Sequence, residues 1–290
     1  VSKKVAARLE SELGYNWFSR LKYKELSYDA LHELQEYAKE KNIPFFATPH
    51  DEESLDFLAK DLDVPYIKVG SGEAHNYEFL KKVASFRKPI FISFGMHTDE
   101  EVKKAVEVLK NAGAQDITIF HCTTKYPTPY HEVDLPRLSH LKNLTKIPVG
   151  ISDHSVGGHS VLAGVASGAT AVEKHLTFDK LDPRSLDNPG ALLPEEFKIM
   201  VAQIRDIEKS LEGMPQELKL KNLENSRKWA GQAIVSSANI AADTMITRSM
   251  LAFKRPGKGG LPPEEAERMI GKTAKVDIEA DEQILWEHLV

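Results

Sequence analysis

From residue 43 onward the chain alternates short β-rich apolar runs with longer segments of helical period. A strand lying parallel to its predecessor needs a crossover helix, so this alternation predicts a parallel sheet wound with helices and excludes most other folds. Six runs qualify as strands: residues 43–47, 66–69, 90–93, 117–121, 148–151 and 171–173. Between them, helical period is carried by residues 52–60, 77–85, 99–111 and 158–167. In the third of these Val102, Ala105, Val106 and Leu109 share one face, Asp99 can cap the start, and Gly113 stands where the C-terminal stop belongs. Pro194 then opens a long helix to Leu211, with Phe197, Val201, Ile204, Ile207 and Leu211 three or four residues apart.

Six strands fall two short of a closed eight-stranded barrel. Residues 1–42 read instead as helix, turn and helix, with Leu31, Leu34 and Ala38 facing inward. The polar clusters all follow the carboxyl ends of strands, where barrels of this kind build their sites. The expected architecture is therefore a TIM-type (β/α)8 barrel without its first two strands, spanning residues 1–212. A polar run at 213–227 with Pro215 reads as a linker. Residues 228–290 change to short β-like runs, 233–236 and 273–276, with one short helix at 263–269, and read as a second, small domain.

Composition narrows the class further. The 290 residues are 41% hydrophobic and 28% charged, as in an ordinary globular chain. A net charge of −5 provides no global field for nucleic acid, and no apolar run reaches the roughly 18 residues of a membrane span. The opening residues carry charges where a signal peptide has its apolar region, and Cys122 is the sole cysteine, so the expected location is the reducing cytoplasm.

The strand-end polar residues are Thr48; Lys68, Ser71 and Glu73; Ser93; His121, Thr123 and Thr124; Ser152, Asp153 and His154; and Glu173, Lys174 and His175. Helix capping also places Ser, Thr and Asp after strands, which accounts for any one of them but not for a set that includes lysine, glutamate and histidine. His154 and His175 end neighbouring strands, an arrangement in which two imidazoles hold one divalent metal with positions left open for substrate. Asp153 and Glu173 would then fix the rings. Lys68 sits within a strand, where a charge needs a partner. Either Glu73 is that partner, or Lys68 faces the barrel mouth and binds an anion with Ser71, the adjoining Gly70 and Gly72, Ser93 and Ser152, a set suited to phosphate. In YPTPY, residues 126–130, prolines hold an extended loop, and Tyr126 either lines the pocket or packs on the barrel.

In order along the chain, KVGSGEAHNYEFLKKVASFRKPIFISFGM, HCTTKYPTPY, VGISDHS, EKHLTFDK and FKRPGKG together resemble the sialic acid synthase family, which includes N-acetylneuraminate, legionaminate and pseudaminate synthases. The resemblance runs from residue 26 to the C-terminus. It implies a transferase in which a barrel, joined to a C-terminal antifreeze-like (SAF) domain, condenses phosphoenolpyruvate with an N-acetylmannosamine-type sugar to a nine-carbon sialic acid and phosphate. It implies that His154 and His175 bind manganese or magnesium, and that Lys68, Ser93 and Ser152, with Ser71, Thr48 and Thr124, contact phosphoenolpyruvate. By the same resemblance Glu73, Tyr126 and Asp187 are the catalytic residues facing the sugar. Arg255 would reach into a partner's barrel to bind the N-acetylated hexosamine, which implies a domain-swapped homodimer.

The family usually begins with a strand carrying a glutamate and a second carrying a phosphate-binding lysine. Neither is in this sequence, so the resemblance implies that about 60 residues, two strand–helix units, are missing and that this chain has low activity. Phe94 stands where a small hydroxyl residue is usual, Thr124 replaces Ser or Asn, and Arg184, Ser185 and Leu186 replace Pro-Gly-Pro beside the sugar. Two rival readings remain: a barrel lyase forming a Schiff base through Lys68 or Lys174, and a ligand-binding protein without turnover.

Overall fold

The computed structural model describes residues 17–255 and 260–290. The chain divides into two compact units, Val1–Leu211 and Glu212–Val290, each with its own apolar core.

In the first unit five parallel strands lie side by side in chain order: β1 (Ile67–Val69), β2 (Ile90–Ser93), β3 (Ile117–Cys122), β4 (Val149–Asp153) and β5 (Val172–Lys174). The helices are α1 (Trp17–Lys24), α2 (Tyr28–Glu40), α3 (Glu52–Asp56), α4 (Tyr77–Ser85), α5 (Asp99–Asn111), α6 (Pro136–Thr145), α7 (His159–Ala166) and α8 (Pro194–Leu211), with a π-helical turn, Phe57–Asp61, continuing α3. Successive strand residues point to opposite faces. Ile67, Val69, Ile90, Ile92, Ile119 and Ile151 join Leu80, Val83, Val102 and Leu109 of the helices in the main core. The alternate residues, among them Lys68, Ser93, Cys122, Ser152 and Glu173, therefore take the other face. That face is concave: Lys68 on β1 and Glu173 on β5 approach to 3.3 Å, although strands four places apart in a flat sheet are separated by about 19 Å. A sheet curled this far is the wall of a TIM-type barrel, as the alternating pattern leads one to expect.

Some expectations are corrected. Residues 43–47 form no ladder; with no strand partner among the described residues, the segment is held by side chains instead. Phe45 and Ala47 pack against Phe57, Leu58, Leu62 and Val64, while the Phe46 ring meets Tyr66 and Phe91. Leu31 joins the same cluster, but Leu34 is exposed, because α2 buries no residue fully. Residues 1–16, part of the expected N-terminal helices, lie outside the described residues. Helix α5 is capped by Thr98, not Asp99: the Thr98 hydroxyl accepts from Glu101 N while the Glu101 carboxylate accepts from Thr98 N. Asp99 is free to bind Arg137 and His140 of α6.

From Gln216 onward the polar run at 213–227 is helical, in α9 (Gln216–Ala230). The second unit holds an antiparallel pair, β6 (Ala233–Ser236) and β7 (Leu251–Lys254), and a short helix, α10 (Ala266–Met269), entered through a 3-10 turn at Pro263–Glu265. Where a strand was expected at 273–276, single bridges form from Thr273 to Met245 and from Ala274 to Leu289. Among the described residues no helix is long and apolar enough to cross a membrane.

Candidate active site

The carboxyl ends of β1–β5 open into a cavity of about 390 Å³, lined by groups from each of these five strands and from the segment before β1. Its floor is a charged network. Lys68 is 6% exposed, donates to Ser93 Oγ at 2.7 Å and pairs with Glu173, whose Oε1 accepts from Ser152 Oγ at 2.6 Å. Alternation along β1, β2, β4 and β5 brings these four side chains to one face. The partner of Lys68 is thus Glu173 and not Glu73, and Glu173 does not fix a histidine ring.

Glu73, in the turn after β1, instead accepts from His50 Nδ1 at 3.0 Å, a bond that raises the His50 pKa. Gly70 makes this approach possible, since a β-carbon there would stand 2.7 Å from Glu73 Oε2. Ser71 Oγ accepts from Gly95 N at 2.9 Å and lies 3.4 Å from Cys122 Sγ; burial pushes the Cys122 thiol up. A β-carbon on Gly95 would run into Thr124 Oγ1 and Cys122 Sγ, so Ser71 and Thr124 flank a backbone that has no room for a side chain. Thr48 lines the same cavity.

His154 and His175 each stand one residue past the end of a strand, β4 and β5, and their rings are 5.3 Å apart. The Tyr126 ring lies 4.2 Å from that of His154 and 6.1 Å from that of His175, so Tyr126 faces the cavity rather than the outer barrel. Burial pushes the Tyr126 phenol up to about 12. His154 Nδ1 lies 2.9 Å from Thr123 O. A carbonyl only accepts, so Nδ1 carries the hydrogen and Nε2 keeps a bare lone pair; burial also lowers the pKa of this ring. His175 Nε2 is 4.0 Å from Asp187 Oδ1, and Asp187 also meets Lys24 at 3.5 Å. Burial acts to raise the Asp187 pKa, but the Ser185 hydroxyl, His175 and Lys24 together hold it below the usual value. The donor set fits a divalent ion: two neighbouring imidazoles, one with its Nε2 lone pair unused. Among the described residues no third His, Cys, Asp or Glu joins them as a ligand cluster.

Asp153 and Lys174 lie on the opposite face of the sheet, where they form a buried ion pair at 2.7 Å; the carbonyl of Thr123, and not Asp153, fixes the His154 ring. Phe94 belongs to the helix-side core and does not line the cavity. In the loop after β5, Ser185 donates to Asp187, Arg184 binds Asp182 and the Tyr23 hydroxyl, and Leu186 is exposed. Arg255 is exposed at the end of β7 in the second unit. His50 was missed by the motif reading, although it follows residues 43–47 as Thr48 does, and its position at the end of an apolar run is the signal that could have found it.

The model of the NeuB family matches residues 3–216, and the SAF-domain model matches residues 231–290. The chain is 39% identical over 265 residues to the N,N'-diacetyllegionaminic acid synthase of Campylobacter jejuni, covering 90% of this chain and 77% of that one. It is 33% identical over 275 residues to the human N-acetylneuraminate-9-phosphate synthase, covering 94% and 76%. The solved structure of an N-acetylneuraminic acid synthetase from Leptospira borgpetersenii, in complex with citrate, superposes with a TM-score of 0.67 at 30% identity, over 75% of this chain and 77% of that one.

Proposed function

Because the chain belongs to the NeuB family, we propose that it condenses phosphoenolpyruvate with an N-acylated amino sugar, forming a nonulosonic acid and inorganic phosphate. One observation carries this reading: a buried lysine–serine floor and a pair of imidazoles line the same cavity. The floor suits a small, highly charged anion. Ser93 accepts from Lys68 and keeps its own hydrogen for a phosphate or carboxylate oxygen. Lys68, which also reaches Val69 O at 3.4 Å and Glu173 at 3.3 Å, would exchange one of these longer contacts for an oxygen of the anion.

On the sugar side, Tyr126 stays a neutral donor at physiological pH because its phenol titrates at about 12. Asp187 stays ionised and accepts from sugar hydroxyls. The reaction joins C3 of phosphoenolpyruvate to the open-chain aldehyde carbon; water adds at C2, and phosphate leaves with its bridging oxygen. The Glu73–His50 pair handles the proton of that water. His154 and His175 would hold a manganese or magnesium ion, which supplies Lewis acidity toward the aldehyde oxygen. Arg255 would serve the acetamido group of the sugar in a partner's barrel, within a domain-swapped homodimer.

The test is phosphate release from phosphoenolpyruvate with N-acetylmannosamine-type sugars, with and without a chelator. Release that needs sugar and metal, and that disappears in His154→Ala and His175→Ala, is expected. Covalent trapping with pyruvate and borohydride would instead establish a Schiff-base lyase. The geometry disfavours Lys174 for that chemistry, because its amine is committed to Asp153 and Ser155 O.

A further inference from the structure

The loop between β3 and α6 carries both Tyr126 and the carbonyl that orients His154, so whatever holds this loop shapes the cavity. Thr123 Oγ1 donates to Glu132 O, Thr128 Oγ1 to Lys125 O, and Thr128 N to His154 O. A further tie comes from His121, the last residue but one of β3, on the strand face opposite Cys122. Its side chain is 3% exposed and its Nε2 lies 2.7 Å from Val133 O. The acceptor is a carbonyl, so Nε2 carries the hydrogen. Burial lowers the pKa of the ring against the pull of that carbonyl, which keeps it neutral and leaves Nδ1 as a lone-pair acceptor. Nδ1 is buried and has no partner among the described residues.

Beside the ring is a void of about 10 Å³, whose wall combines Cys122, Val133 and Ile151 with polar residues that include His121, Thr123 and Asp153. That is about the space one water needs, provided two or more polar groups meet it. We propose that this void is a binding site for a single water, which donates one hydrogen to His121 Nδ1 and the other to the Asp153 carboxylate. His121, through this water and Val133, is then the positioning residue that fixes the Tyr126 loop against His154. The carboxylate has the capacity: Oδ1 accepts from Ser155 N and Oδ2 from Lys174, and each oxygen has a second lone pair. The water and the fixed loop do not depend on the synthase reading; only the kinetic consequence rests on it.

A high-resolution crystal structure of the wild-type protein should show one water within hydrogen-bonding distance of His121 Nδ1, and nitrogen NMR should show the Nε2–H tautomer. An empty void, or the opposite tautomer, overturns the proposal without any variant. In His121→Leu the amide hydrogens of Thr128 and Val133 should exchange roughly ten-fold faster than in the wild type while those of α4 do not change, and His121→Gln, which keeps a donor for Val133 O, should recover part of the protection. Unchanged exchange at Thr128 in the leucine variant would refute the positioning role. In an active enzyme the leucine variant should raise KM for the sugar several-fold more than KM for phosphoenolpyruvate; equal changes would make His121 merely structural. A wild-type protein that releases no phosphate contradicts the synthase reading only, and the crystal and exchange experiments still decide this one.

Discussion

A lysine amine taken out of water must be held by acceptors or neutralised, and the two strand lysines of this cavity's wall are held differently. Lys68 faces the concave side, where Ser93 and Glu173 hold it beside open space. Lys68→Met should weaken phosphoenolpyruvate roughly 10- to 100-fold by calorimetry, the range for a hydrogen bond to a charged group, with little change in sugar binding. Equal weakening of both ligands would make the lysine structural. Lys174 faces the other side with 0% of its side chain exposed, against Asp153. Lys174→Met leaves that carboxylate buried without its partner and should cost about 3–5 kcal/mol of stability in urea unfolding; an unfolding curve like that of the wild type would contradict the buried pair. The sequence placed both lysines at strand ends but could not tell their faces apart, because a shift of one residue in strand register exchanges them.

Among the elements, the strands and long helices were legible because their periods are carried by many residues at once: α5 and α8 have the bounds that apolar spacing predicts. The segment at 43–47 was misread because an apolar run fits a strand and also a loop that packs its side chains, and only a ladder partner distinguishes them. The turn after β2 shows a tighter constraint. Gly95 lies where a β-carbon would meet Thr124 Oγ1 and Cys122 Sγ, so Gly95→Ala should lower stability by about 1–3 kcal/mol, the cost of overfilling a packed site. Adding Cys122→Ala should recover part of the loss, since the two positions touch and their effects should not add. A strictly additive double variant would mean that the turn relaxes elsewhere.

For the whole molecule, the net charge of −5 means that the proposed anionic substrate, phosphoenolpyruvate, would approach a protein of its own sign, and on the proposed reading attraction would come from Lys68 at the floor rather than from a long-range field. Raising ionic strength screens both contributions, so affinity should change by less than about ten-fold across the physiological range; a steep fall with salt, seen by titration calorimetry, would reveal steering charges outside the cavity. What the sequence determined by itself was five of the six expected parallel strands, the helices over them, and the rule that chemistry collects at the strand ends, because each is written in a local period or in the residue at a strand terminus. Only the tertiary structure decided which pairs form: Lys68 with Glu173 rather than Glu73, His154 with the Thr123 carbonyl rather than Asp153, and Glu73 with His50. Those partners lie between 23 and 105 residues apart. Curling of the sheet brings Lys68 of its first strand to Glu173 of its fifth, while His154 meets Thr123 across the ends of the neighbouring strands β3 and β4 and Glu73 meets His50 of the segment before β1, approaches that no spacing along the chain encodes.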